Sequence, residues 1–243
     1  MEYANINQPV LRITDKQLFD YIFCPNFFYF KYLSHIPNKK KKTTGEMVKE
    51  IINYYFARLM QHKLPSIDTL KKKWDDLCNE NAENMNNKTV LEGFGLINLF
   101  DKYCKNTKLI VADFDSEYQL NFPGNIILTG NLGVIRLVNK TLELFVVETS
   151  QKTPDQRLLD MSLRYTLACL AAEKIYKGYE LNYVNILHLK SGKEFKTYRN
   201  KTQKDRLEKA VINIAKSIRE EIFFPRENYQ CAQCAYKNFC GYN

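Results

Sequence analysis

Apolar positions along this chain follow two rhythms, and the change between them falls near Leu109. Before it, they recur at three- and four-residue spacing, which predicts amphipathic helices. Thr14 is placed to cap a helix through "DKQLFDYIF", with Leu18, Tyr21 and Ile22 on one side. Cys24-Pro25 interrupts that helix, and "NFFYFKYL" resumes it. The lysine-rich "IPNKKKKTTGE" connects to a helix in "EMVKEIINYYFARLMQ". Ser66 caps another in "IDTLKKKWDDLCNENAENM", and a further helix covers residues 90–103. Beyond Leu109, "LIVADFDSEYQLNF", "NIILTGNLGVIRLV" and "LELFVVETS" are β-rich runs separated by the turn-like "PGN" and "NKT". One long helix fits "DQRLLDMSLRYTLACLAAEKIYK". The strands "NYVNILHL" and "EFKTYR" come next, and a last helix, "QKDRLEKAVINIAKSIREEI", precedes a cysteine-rich tail. This order predicts an α/β core with a helical insertion.

Composition narrows the class. The 243 residues suffice for one large domain. No long uncharged apolar run predicts a membrane span, and the first ten residues lack the form of a secretory signal. Seven cysteines without such a signal point to a reducing, intracellular, cytoplasmic setting, with thiols free or metal-bound. The net charge of +9 favours a polyanionic partner.

The tail "CAQCAYKNFC" places Cys231, Cys234 and Cys240 within ten residues, close enough to converge on one metal centre. The fourth ligand expected is Cys24, which sits at a helix break and not on an apolar helix face. Spacing alone leaves zinc and iron–sulfur both open. Cys169 reads as core, and Cys78 and Cys104 as isolated helical residues. His35, His62 and His188 are scattered with no nucleophile beside them, so no catalytic triad is expected. The aromatic set Phe27, Phe28, Tyr29, Phe30 and Tyr32 reads as core, and Trp74 lies on a polar helix without a clear message.

"LFDYIFCPNFFYFKYL" and "CAQCAYKNFC" together resemble the two halves of the four-cysteine iron–sulfur site of RecB-like nucleases. Among these the CRISPR-associated Cas-four exonucleases are the nearest resemblance. It spans nearly the whole chain and implies a restriction-endonuclease-like core, a mixed central sheet flanked by helices. In that reading residues 1–105 form a mainly helical part, 106–222 the nuclease-like core and 223–243 a cluster-binding tail, all within one domain. The implied cofactor is a [4Fe-4S] cluster on Cys24, Cys231, Cys234 and Cys240, with zinc as the alternative.

The family is similar in its chemistry to other PD-(D/E)xK nucleases, in which carboxylates hold Mg²⁺ or Mn²⁺ and a lysine orients water. Its motifs map here with gaps. In "GEMVK" Lys49 stands where the family has histidine, and an ammonium has no lone pair for a metal. In "GNLGVIRL" Gly133 stands where the metal-binding aspartate belongs, although Gly130, Ile135 and Arg136 keep the frame. In "ETS" Glu148 is kept and Ser150 replaces the lysine. In "MSLRY" Tyr165 is kept and Met161 replaces glutamine. One carboxylate alone binds a hard cation weakly. The resemblance therefore implies a catalytically silent homologue that binds DNA, or a partner in CRISPR adaptation or recombination. Lys39, Lys40, Lys41, Lys42 and Tyr165 are the nucleic-acid contacts expected. Two alternatives stand beside it. One is an active exonuclease with a rearranged site, in which Lys152 and a carboxylate from Asp113, Asp115 or Glu117, or the weaker ligand Asn131, complete Glu148. The other is a protein-interaction scaffold without DNA binding.

Overall fold

Thr14 does what its position predicts. Its hydroxyl accepts the Gln17 amide N–H while the Gln17 side chain accepts the Thr14 N–H, a closed capping box that starts α1 (Asp15–Phe23). A computed structural model describes residues 9–34, 36–37, 42–138, 141–179, 181, 183–228 and 230–241. The chain divides into two compact units, one of Met1–Lys40, Glu117–Asn131 and Lys201–Asn243, the other of Lys41–Ser116 and Leu132–Asn200.

The first unit gathers three separated pieces of chain. Its sheet has the order β1-β4-β3, formed by β1 (Leu11–Thr14), β3 (Glu117–Phe122) and β4 (Ile126–Asn131). β1 runs parallel to β4, and β3 and β4 form an antiparallel pair. Cys24 has extended backbone, ending α1 and starting α2 (Pro25–Tyr32) with proline at the first helical position, where a missing N–H costs nothing. α8 (Lys201–Arg219) packs against α1 and β3. Of the aromatic run expected as core, Phe28 is buried, Phe27, Phe30 and Tyr32 are half-buried, and Tyr29 is exposed. Phe28 stacks on Phe223 and meets Tyr21 edge-on.

The second unit carries a five-stranded mixed sheet, β2-β5-β6-β7-β8. Its strands are β2 (Val111–Phe114), β5 (Val134–Val138), β6 (Thr141–Glu148), β7 (Tyr183–His188) and β8 (Lys193–Tyr198). β6 and β7 are parallel, and the other pairs antiparallel. Three helices build its main core: α3 (Thr44–Met60), α4 (Ile67–Glu80) and α5 (Asn87–Thr107). Met47, Ile51, Phe56, Leu70, Ile97 and Phe100 pack there with Val134, Phe145 and Val147 of the sheet. Trp74, unread in the sequence, is fully buried in this core. Gly93 of α5 lies under its indole with no room for a side chain. Among the described residues, no helix is long and apolar enough to cross a membrane.

Three expectations need correction. Two of the β-rich runs are each two strands, and the halves join different sheets. The first breaks at Asp115, whose φ of 62° is a turn conformation. The second breaks at residues 132–133, between β4 and β5. The long helix expected over residues 155–177 is likewise two helices, α6 (Gln156–Asp160) and α7 (Leu163–Ile175). Buried Arg199 explains that break. It donates to the carbonyls of Leu159 and Ser162 and to the hydroxyl of Thr166, which fixes the interruption in place. α4 ends at Glu80, and residues 82–84 make a 3₁₀ turn where the sequence reads as continuing helix.

Candidate active site and cysteine centre

β6 is apolar from Leu144 to Val147 because both of its faces are covered there, and it delivers Glu148 to its end. There the chain bends. The parallel register sets Glu148 beside His188 of β7. His188 is buried, with Nε2 2.9 Å from the Ser150 carbonyl and Nδ1 2.8 Å from Ser191 Oγ. A carbonyl only accepts, so Nε2 carries the proton and the imidazole pins the segment after Glu148. The sequence set His188 aside, and nothing local to it signals this role, which comes from strand register.

The N-terminus of α3 reaches the same place. Thr43 caps it in a second capping box with Glu46. Thr149 Oγ1 donates to the Gly45 carbonyl at 3.4 Å, and a side chain at Gly45 would sit 3.0 Å from that oxygen. One turn on, Lys49 brings its ammonium 3.9 Å from Glu148 Oε1. The same oxygen accepts the N–H groups of Thr149 and Ser150, each at 3.1 Å. These groups border a cleft of about 430 Å³ that also takes in Glu46 and Glu92. Neither glutamate was singled out from the sequence. Glu92 belongs to no motif, and Glu46 closes the capping box of Thr43.

The other predicted residues scatter. Gly133 offers no side chain, and the space where one would project is open. Ser150 Oγ donates to the Lys152 carbonyl, so the backbone does turn here, but Lys152 is exposed and does not line the cleft. Asp113 is engaged elsewhere. It accepts from Ser116 Oγ, Tyr176 O–H and the Phe114 N–H. Burial works against its charge, but these bonds outweigh it and hold its carboxyl below the usual range. Asp115 is the turn residue. Glu117 opens β3 and Asn131 closes β4, both in the first unit. Tyr165 lies on α7. Its phenol is pushed up to about 12 by burial and then by the nearby charge of Glu148. Met161 ends α6 and is exposed, so it does not share a helix with Tyr165. Lys42 pairs with Glu50 at 2.7 Å. Lys39, Lys40 and Lys41, like His35, lie outside the described residues.

The cysteines form a second locus, within the first unit. Cys24, Cys231, Cys234 and Cys240 line one cavity, walled by Phe23, Phe27, Phe30, Pro225 and Tyr236. Its free volume is about 40 Å³, above the ~10–15 Å³ that one water needs. Each sulfur accepts an N–H. Arg226 N–H points to Cys24 at 3.5 Å, Asn228 N–H to Cys231 at 3.4 Å and the Asn26 amide to Cys240 at 3.7 Å. The Tyr236 N–H serves Cys234, whose thiol is nonetheless raised by burial and by its three cysteine neighbours. Cys78, Cys104 and Cys169 are buried in the second unit. Among the described residues, no three His, Cys, Asp or Glu side chains are drawn around a single metal ion.

The fold resembles that of a crystal structure from Eubacterium rectale, of a candidate exonuclease, with a TM-score of 0.59, 10% identity, and 98% of this chain and 94% of that one covered. A crystal structure of SSO0001 aligns at a TM-score of 0.41 and 11% identity over 93% of each chain. No curated protein matches the sequence. Residues 12–241 match the description of a nuclease family whose fold is the mixed α/β arrangement found here. The chain belongs to the PD-(D/E)XK nuclease superfamily.

Proposed function

We propose that this protein is a catalytically silent member of its superfamily, which binds DNA or a DNA-processing partner and holds a four-cysteine iron–sulfur cluster. The observation that carries the first part is the ion pair of Lys49 with Glu148. A divalent cation needs converging oxygen ligands. Glu148 instead faces an ammonium and the backbone N–H groups of Thr149 and Ser150, and Gly133 supplies nothing. The residues present do not fit the metal that hydrolysis in this superfamily requires. The net charge of +9 supports a nucleic-acid partner.

The cysteine cavity does fit a thiolate-held centre. Four sulfurs gathered in an apolar pocket repel one another once ionised, and a cationic centre offsets that repulsion. An N–H aimed at each sulfur stabilises the thiolate form. Four cysteines around one cavity suit a cluster, where each iron takes its own cysteine, with tetrahedral zinc as the alternative. Cys24, Cys231, Cys234 and Cys240 would hold it.

A second reading rests on Glu46 and Glu92, two carboxylates bordering the same cleft as Glu148. It is an exonuclease with a displaced metal site. Digestion of labelled single-stranded and duplex DNA with Mg²⁺ or Mn²⁺ separates the two. No cleavage, with a salt-sensitive mobility shift, is expected. Cleavage abolished in Glu148→Ala and Glu92→Ala overturns the silent reading. Anaerobic purification should give a brown protein with about four irons per chain, whereas a colourless protein with stoichiometric zinc overturns the cluster.

A further inference from the structure

The end of the five-stranded sheet away from Glu148 carries a second cleft, of about 520 Å³. Glu143 lines it, five residues before Glu148 on β6 and so about 17 Å away along the strand. Its floor is a buried ionic network. Arg136 Nε and Nη2 reach Glu143 at 2.9 and 2.8 Å, Nη2 reaches Glu194 at 2.7 Å, and Nη1 reaches Tyr103 Oη at 2.7 Å. Tyr103 and Tyr183 donate to Glu194 and Glu143 in turn. Lys196, 3.6 Å from Glu143, completes two cations against two carboxylates. The floor is balanced, so it has no call for a charged group.

One polar atom in this floor is unsatisfied. Asn185 is 1% exposed and lines the cleft. Its amide nitrogen donates to Glu143 and Glu194, which as carboxylates can only accept. That fixes the orientation and leaves Oδ1 buried with no hydrogen-bond partner. A buried acceptor left alone costs about 1–3 kcal/mol, so the cleft favours a neutral N–H donor. The rim is different. Lys108 and Lys196 stand there with Ile110 and Leu137, which are 57% and 36% exposed.

We propose that this cleft binds a nucleotide whose base carries an exocyclic amine. The amine donates to Asn185 Oδ1, the flat base lies against Leu109, Ile110 and Leu137, and the phosphate meets Lys108 and Lys196. The volume lies in the usual range for such sites, roughly 300–1,000 Å³. A free mononucleotide and the terminal nucleotide of a DNA strand share this chemistry. The assignment is independent of whether the Glu148 cleft cleaves DNA.

Calorimetric titration of the intact protein with dAMP, the deoxynucleotide of unsubstituted purine, which has neither amine nor ring N–H, and a short oligo-dA tests it. dAMP is expected to bind about tenfold or more tightly than the unsubstituted purine nucleotide, the value of one hydrogen bond to a buried acceptor. Tighter binding of oligo-dA than of dAMP identifies a strand end as the source, and equal binding identifies free nucleotide. Lys108→Glu, on the exposed rim, should weaken dAMP about tenfold, while Glu148→Ala should leave it unchanged. Equal binding of the unsubstituted purine nucleotide and dAMP, or no binding of dAMP and oligo-dA at millimolar concentration, overturns the proposal. The ligand-side comparison holds even if Asn185→Leu fails to fold.

Discussion

Two glycines on α5, two residues apart, should respond to the same substitution in opposite directions. An alanine Cβ at Gly93 would be driven into Cη2 and Cζ2 of Trp74 and lie 3.1 Å from Thr44 Cγ2. Trp74 is fully buried and has nowhere to swing. Overpacking of this kind costs ~1–3 kcal/mol, and a ring held on all sides belongs at the upper end. Alanine returns ~1 kcal/mol in helix propensity, so Gly93→Ala should lose about 2 kcal/mol net. At Gly95 nothing lies within 4 Å of the added atom, and Gly95→Ala should gain the propensity alone, about 0.5–1 kcal/mol. The gap between the variants is therefore about 2.5–3 kcal/mol, or roughly 5–12 °C in midpoint for a chain of this size. Urea melts followed by tryptophan fluorescence measure it cleanly, because Trp74 is the chain's single tryptophan and reports on its own unit. If Gly93→Ala proved as stable as Gly95→Ala, the packing of α5 against Trp74 would be wrong, and with it the position of Glu92 in the cleft.

Two further outcomes follow from the polar sites. Burial opposes the charge of Glu143, but bonds from Tyr183 and Arg136 win and hold its folded pKa below the ordinary glutamate value. Its contribution is thus complete above about pH 4.3 and is lost as pH falls through the lower folded value. Urea melts from pH 7 to pH 3 should show stability falling below that point, with a shallower fall in Glu143→Gln; an unchanged slope in the variant would refute the assignment. In the Glu148 cleft, Lys49→His, Gly133→Asp and Ser150→Lys combined should gain Mn²⁺ binding, since the added side chain at Gly133 enters open space. Titration calorimetry that detects no Mn²⁺ binding to this variant would show that more than these side chains separates the cleft from an active one.

Local signals in the sequence carried far. Thr14, Thr43 and Ser66 each cap a helix, because a capping oxygen acts within three residues of itself. The two anticipated as caps, Thr14 and Ser66, needed no tertiary information. The helix break at Cys24-Pro25 was legible for the same reason. What escaped depended on partners far along the chain. The period-two pattern runs straight through Asp115, and the turn there is braced by Asp113 with Tyr176, 63 residues away. The break at Met161 depends on Arg199, which no window around the helix contains. Trp74 hid because the helix around it is mostly polar, and one buried side on a charged helix gives little average signal. In the candidate site, Lys49, Gly133 and Ser150 were legible as departures from a motif. Glu92 and His188 arrive there through helix packing and strand register, which no motif encodes.

The first unit's three-piece construction has a consequence for synthesis. Cys24 and Cys231 are 207 residues apart (231 − 24) yet border one cavity. At ribosomal rates of about 5–20 residues per second, Cys24 waits roughly 10–40 seconds for its companions. Until then the aromatic residues of α2 have none of the tail to pack against, and α8, also late in the chain, is missing from the same unit. The second unit, Lys41–Ser116 with Leu132–Asn200, is complete before α8 emerges. Nascent chains should therefore expose the N-terminal aromatics longest, and closure of the four-cysteine cavity should be the last event of folding.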